Sequence, residues 1–196
     1  MTSGSDSQAM PASLAALVQR AGTSGKGIPP VDKWNPPFCG DIDMRIDRDG
    51  RWFYIGSPIG REALVRLFAS VLRRDEDGRH FLVTPVEKVG IVVEDVPFIA
   101  VELDAQGKGV DQLLTVRTNV GDVLEINADH PLEFHSDPSN GGLLPYITVR
   151  GRLKARMSRP LLYQLAELFV ERDFEGRTQT GVWSGGAFFE IDPSLL

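Results

Sequence analysis

Arg61 and Arg159 stand where a helix should discourage them, ninety-eight positions apart and each in the predicted first turn of a helix. The partial positive charge of a helix entrance opposes a cation by about 0.3–1 kcal/mol. Two arrangements make such an arginine useful. It can share an anion with the helix entrance, or it can pair with a nearby carboxylate, Glu62 in the case of Arg61. Arg152, Lys154 and Arg156 alternate, so a continuous strand would put them on one face, with Arg159 extending the basic ridge. That ridge suits a phosphate or carboxylate. It equally suits an edge strand that uses charge to prevent stray pairing.

Other chemistry thins out quickly. Asp129, His130, Glu133, His135 and Asp137 look like metal ligands, but alternation separates His130 from Glu133 and His135, and no third ligand is fixed by spacing. The run 47–50 echoes a calcium loop, yet Arg45 and Gly56 occupy its end ligand positions, so it reads as a hairpin turn. No nucleophile elbow is present: Ser57 and Ser184 both miss the spacing. Cys39 has no basic neighbour in sequence and reads as a buried structural thiol. The Ser184-Gly-Gly turn either exposes backbone N–H groups to a ligand or closes a hairpin. Trp34, Trp52 and Trp183 read as core or arm anchors, any of which could stack on a ring.

The elements that must hold these residues show a repeat. Residues 61–79 reappear without a gap at 159–177, with seven identical pairs, among them Arg61/Arg159, Leu67/Leu165, Arg74/Arg172 and Gly78/Gly176. A constant offset over that length indicates an internal duplication. Before it, Ile42, Met44 and Ile46 alternate with charged residues as a half-buried strand, turning at Asp49-Gly50 into a partner at 52–55. Ser57-Pro58 is expected to cap and start the first helix, with Leu64, Leu67, Phe68, Val71 and Leu72 on its core side. Strands are expected at 80–84, 89–93, 98–103, 112–118, 123–126 and 132–135. The second copy adds a hairpin at 146–155, a helix from Ser158-Arg-Pro160, and strands at 182–183 and 187–191. Upstream, 1–8 reads as disordered, 11–20 as a short helix and 22–27 as flexible. The proline-rich arm 28–38 should lie extended, anchored by Trp34 and Phe38.

Bulk properties exclude more than they assign. A hydrophobic share of 42% and a charged share of 24% are those of an ordinary soluble domain. A net charge of −6 lacks the basic footprint of a dedicated nucleic-acid binder. The lone Cys39 allows no internal disulfide and fits a reducing compartment, no apolar run is long enough to cross a bilayer, and no secretory leader is read at the N-terminus, so the cytoplasm is the expected location.

The blocks 34–43, 52–61, 81–89 and 182–186 together resemble an uncharacterised proteobacterial family of unknown function, over roughly residue 28 to the C-terminus. The resemblance implies a duplicated core, a C-terminal half like a pleckstrin-homology fold, and a nucleotide-like ligand between the halves in a signalling role. It points to Trp34, Asn35, Cys39, Ser57, Arg61, Thr84, Glu87 and Trp183. The expected class is therefore α+β: two strand–strand–helix–strand–strand units, mainly antiparallel, after a flexible segment 1–27, with domains at 28–95 and 96–196. The expected function is a non-enzymatic binding or sensing protein for an anionic small molecule, without a cofactor or metal. Arg61 and Arg159 would supply charge, Trp34 or Trp183 stacking, Asn35 and Glu87 polar readout, and Ser184 backbone contacts. Arg61, Glu87 and Trp183 are expected in one pocket between the halves. An adaptor that uses its pleckstrin-homology-like half and its proline-rich arm is the alternative.

Overall fold

Strand alternation and tight glycine turns fold each half of the chain around a six-stranded sheet. The computed structural model describes residues 27–195 together with Ala12, Ala15 and Ala16. Those three alanines are helical, while the rest of the expected 11–20 helix, the 1–8 segment and most of 22–27 lie outside the described residues. The chain divides into two compact units, Met1–Asp95 and Val96–Leu196.

The N-terminal unit runs β1 (Phe38–Ile46), β2 (Trp52–Tyr54), β3 (Ser57–Pro58), α1 (Glu62–Ser70), β4 (Leu72–Arg74), β5 (His80–Val83) and β6 (Lys88–Val93), in the sheet order β3-β2-β1-β6-β5-β4. The C-terminal unit runs β7 (Phe98–Gln106), β8 (Leu113–Thr118), β9 (Val123–Glu125), β10 (Leu132–Ser136), β11 (Leu143–Arg150), β12 (Leu153–Met157) and α2 (Arg159–Ala166), in the order β9-β8-β7-β12-β11-β10. A separate meander follows, β13 (Val170–Phe174), β14 (Arg177–Ser184) and β15 (Ala187–Glu190). Counted from the start of each unit, the two six-stranded orders are the same: three antiparallel strands on each side of one parallel pair, β1·β6 or β7·β12. The fold is thus mainly antiparallel α+β with duplicated halves, and one of the two sheets curls into a half-barrel.

The duplication runs in two registers. Over 61–79 and 159–177 both copies give a helix, a strand, a turn on a left-handed glycine (Gly78 φ 85°, Gly176 φ 78°) and a returning strand. The sheets instead match at an offset near sixty, with Phe38 and Phe98 opening equivalent strands. As a result α1 sits between the third and fourth strands of its sheet, whereas α2 follows the sixth.

Several local expectations change. Ser57-Pro58 does not start a helix. Ile55 (φ 48°) and Gly56 (φ 71°) form a two-residue turn that folds Ser57 back onto Tyr54, and proline is tolerated because β3 is an edge strand. The helix begins four residues past Pro58, at Glu62, with Arg61 extended at its N-cap. Both helices stop before the expected apolar face is complete: Leu72 opens a strand, and Leu168 and Phe169 lie past the end of the second helix at Ala166. The arm is not extended throughout, since Val31–Lys33 form a 3-10 turn; Trp34 is half-buried, and Phe38, 49% exposed, meets the buried Phe81 ring edge-on at 5.9 Å. Val31 and Pro36 are buried, and the Arg73 guanidinium donates to the carbonyls of Val31 (3.0 Å) and Trp34 (2.7 Å).

The N-terminal core gathers Met44, Ile46, Trp52, Phe68, Leu72 and Leu82, with the Trp52 and Phe68 rings stacked at 6.2 Å. The C-terminal core gathers Phe98, Leu114, Ile126, Ile147, Leu165 and Val182. Buried His80 on β5 gives the first core a titratable member. Burial, with the Arg74 charge nearby, pushes its imidazole from 6.5 down to about 4. The unfolded chain then takes up a proton that the folded chain refuses. The stabilisation is present above pH 6.5 and is lost as pH falls toward 4. At about 1.4 kcal/mol per pH unit, the loss is roughly 2–3 kcal/mol. Urea unfolding at pH 7.5 and pH 4.5 should show it, and His80→Gln should shrink the difference between the two pH values by about 2 kcal/mol.

Candidate functional site

A concavity of the C-terminal unit lies where β12 runs into α2. The strand ends at Met157, Ser158 remains extended (ψ 154°) with its N–H on the Ala100 carbonyl, and Pro160 fits the fixed φ of a first helical turn. That short passage places Arg159 as the first helical residue rather than at a cap, beside a cavity of about 370 Å³. Ser158 makes no side-chain capping bond, so its hydroxyl is not spent on the helix entrance. Arg159 Nε donates to the Tyr163 hydroxyl at 3.3 Å, and among the described residues no carboxylate lies within ion-pair distance of Arg159.

The opposite wall is the turn from β10 to β11. Asp137 organises it by accepting hydrogen bonds from the Ser139 amide (2.9 Å), the Ser139 hydroxyl (2.7 Å) and the Asn140 side-chain amide (3.3 Å). Leu143, Leu144 and Pro145 of β11 line the cavity together with Met157 and Leu162. The result is a hollow in which apolar side chains meet the charged groups of Asp137, Arg156 and Arg159.

The ridge expected from Arg152, Lys154 and Arg156 is shorter. Arg152 belongs to the β11–β12 turn, leaving Lys154 and Arg156 on the strand. That strand is central, paired with β11 on one side and β7 on the other, so edge protection does not explain its charges. Lys154 pairs with Glu133 at 2.7 Å, and Glu133 also meets His135 Nε2 at 3.3 Å. His130 turns away and bonds the Thr148 carbonyl through Nδ1 at 3.0 Å. Arg156 reaches the cavity.

The other candidates are divided between the two units. Trp34, Asn35, Cys39, Ser57, Arg61, Thr84 and Glu87 belong to the N-terminal unit, and Arg159, Trp183 and Ser184 to the C-terminal unit. Arg61 is exposed and has no carboxylate within ion-pair distance among the described residues, because Glu62 instead pairs with Arg66 at 2.6 Å. Thr84 and Glu87 do meet, but as a turn: the buried Thr84 hydroxyl accepts the Glu87 amide at 3.2 Å while the Thr84 amide donates to the Glu87 carbonyl at 2.9 Å. Cys39 is exposed rather than buried, because the core-facing alternation of β1 begins only further along the strand and Gly40 (φ 97°) bends its start outward. Asn35 and Ser57 are exposed. Trp183 is half-buried and its ring is already engaged, edge-on with Phe188 at 5.1 Å and with the Arg172 guanidinium 5.1 Å from its ring centre. The glycines after Ser184 form the tight β14–β15 turn (Gly185 φ 56°, Gly186 φ 76°). Leu143, Leu144, Met157 and Leu162 were missed as site residues. Their only signal is the apolar patterning that also marks a core.

Comparison with known proteins places this arrangement in a wider group. The N-terminal domain described as a domain of unknown function, DUF1285, matches residues 29–96, and the DUF1285 C-terminal domain, likewise of unknown function, matches 97–191. The structure is similar to that of a DUF1285 family protein from Silicibacter pomeroyi DSS-3, with 48% identity, a TM-score of 0.82, and 89% of this chain and 93% of that chain covered. It is also similar to a DUF1285 family protein from Shewanella baltica OS155, with 26% identity, a TM-score of 0.50, and 64% and 91% covered. No curated protein matches. No helix among the described residues is long and apolar enough to cross a membrane.

Ser184, a candidate ligand contact, is 0% exposed. Its hydroxyl donates to the Ile126 carbonyl at 2.5 Å and accepts the Leu114 amide at 2.9 Å. It therefore stitches β14 to β8 and to the chain after β9. Ser184→Ala strands a buried amide and a buried carbonyl, and should cost about 1–3 kcal/mol in denaturant unfolding while leaving anion binding at Arg159 unchanged in the folded protein.

Proposed function

The chain belongs to the DUF1285 family, and from that premise we propose that it is a ligand-binding, sensor-type protein that captures an anionic small molecule in the C-terminal cavity at the entrance of α2. The observation that carries this reading is Arg159, exposed and without a carboxylate partner among the described residues, at the rim of a hollow of about 370 Å³. An arginine retained at a helix entrance costs stability unless a counter-charge arrives. Its guanidinium keeps both terminal nitrogens available, since only Nε is engaged, by Tyr163. A planar fork of that kind suits a carboxylate or phosphate. The apolar side chains of the hollow give the rest of the molecule somewhere to leave water. A signalling role is the reading that goes with a site built around a charge-binding group.

Arg61 is the second cation that supports an anion-binding reading, being similarly exposed and unpaired by Glu62. Testing Arg159→Ala and Arg61→Ala in parallel separates the two helix entrances. Native mass spectrometry of freshly purified protein should reveal a bound anion that is lost in Arg159→Ala. In titrations with that anion, the variant should bind more weakly by about 1.5–3 kcal/mol, the scale of a charged hydrogen bond. If only Arg61→Ala loses the ligand, the site belongs to the N-terminal unit.

A further inference from the structure

The cavity offers its ligand an open guanidinium and an apolar wall, and the balance between them narrows what fits. Arg159 keeps its fork, whereas Arg156 already has a partner. Asp137 and Arg156 bring opposite charges to the same cavity, each with a partner of its own, so Arg159 supplies the net positive charge and answers one ligand charge. Leu143, Leu144, Met157 and Leu162 line the remainder. At about 370 Å³ the hollow lies near the lower end of ligand sites, which span roughly 300–1,000 Å³.

We infer that the ligand is an amphipathic monocarboxylate, with its carboxylate on the Arg159 fork and its aliphatic or aryl body against Leu143, Leu144, Met157 and Leu162. This rests on the proposed anion site and makes it specific. A carboxylate matches two parallel N–H donors and one unit of charge. A polyphosphate would bring more charge than one open guanidinium answers.

Isothermal titration of the full chain with butyrate, hexanoate, octanoate, AMP and inorganic phosphate tests the inference. Affinity should rise by about threefold to fourfold for each added CH₂ that the hollow can bury. Arg159→Gln should weaken octanoate at least tenfold with an unchanged circular dichroism spectrum, since Arg159 is exposed. Arg159→Lys, which keeps the charge and removes the fork, should fall between the two, and supplies the comparison if the Gln variant misfolds. Octanoate binding that ignores chain length, or that survives Arg159→Gln undiminished, overturns the monocarboxylate assignment. Arg159-dependent binding of AMP or phosphate without octanoate overturns it too, while leaving the anion site standing. Should no probe bind in an Arg159-dependent way, both readings fall.

Discussion

Each unit is organised by a single parallel pair at the centre of an otherwise antiparallel sheet. A hairpin turn cannot join parallel neighbours, so the chain must build one three-stranded meander, leave its edge, build the second from the far edge, and finish beside its own starting strand. The sixth strand therefore ends in the middle of the sheet, covered on both sides. In the C-terminal unit that strand is β12, and the chain leaving it passes within two residues into α2. The position of Arg159 follows from this. Its helix entrance is fixed by a strand that cannot fray from either edge, and the Ser158 amide is tied to Ala100 on the parallel neighbour.

The same constraint accounts for what the amino-acid sequence did and did not disclose. Alternation along 42–46, the glycine turns and the 98-residue repeat were legible because each is a local rule: period two for a half-buried strand, positive φ for glycine, and a shared helix–strand–turn module. Sheet order was not legible. Pairing β1 with β6 joins segments some fifty residues apart, and its register is broken by bulges between Phe38 and Arg45. Ser57-Pro58 misled because serine before proline favours a helix start only when the chain is free to proceed. The positive φ of Ile55, which a β-branched residue adopts reluctantly, redirects the chain into β3. The Arg74/Arg172 identity likewise hides a difference. The Gly78 turn absorbs one extra residue, so Arg74 sits opposite His80 while Arg172 sits opposite Gln179, one register apart.

At the candidate site the legible part was charge and the illegible part was shape. An arginine at a helix entrance stands out in sequence because it opposes the dipole. The apolar residues beside it carry no such mark, since Leu143, Leu144, Met157 and Leu162 pattern like any strand or helix core. Several polar candidates also serve the backbone, because their chemistry is equally useful to a turn. Thr84 and Ser184 satisfy backbone groups that burial would otherwise leave unpaired. Trp183 lends its ring to Arg172, whose guanidinium lies 3.9 Å from the Phe188 ring centre as well.

Duplication then has an unequal outcome for its two arginines. The helix–hairpin module is inserted after the third strand in one unit and after the sixth in the other. Arg61 consequently follows an edge strand of only two residues, Ser57–Pro58, and becomes an exposed N-cap in extended conformation. Arg159 follows a central strand and is held inside the first helical turn, beside the wall built by the β10–β11 turn. A shared residue in a shared module therefore meets different neighbours because the sheet, not the module, decides what surrounds it. Local sequence identity transmits the helix entrance and its cation. The opportunity to bind something there comes from the topology into which the module was spliced.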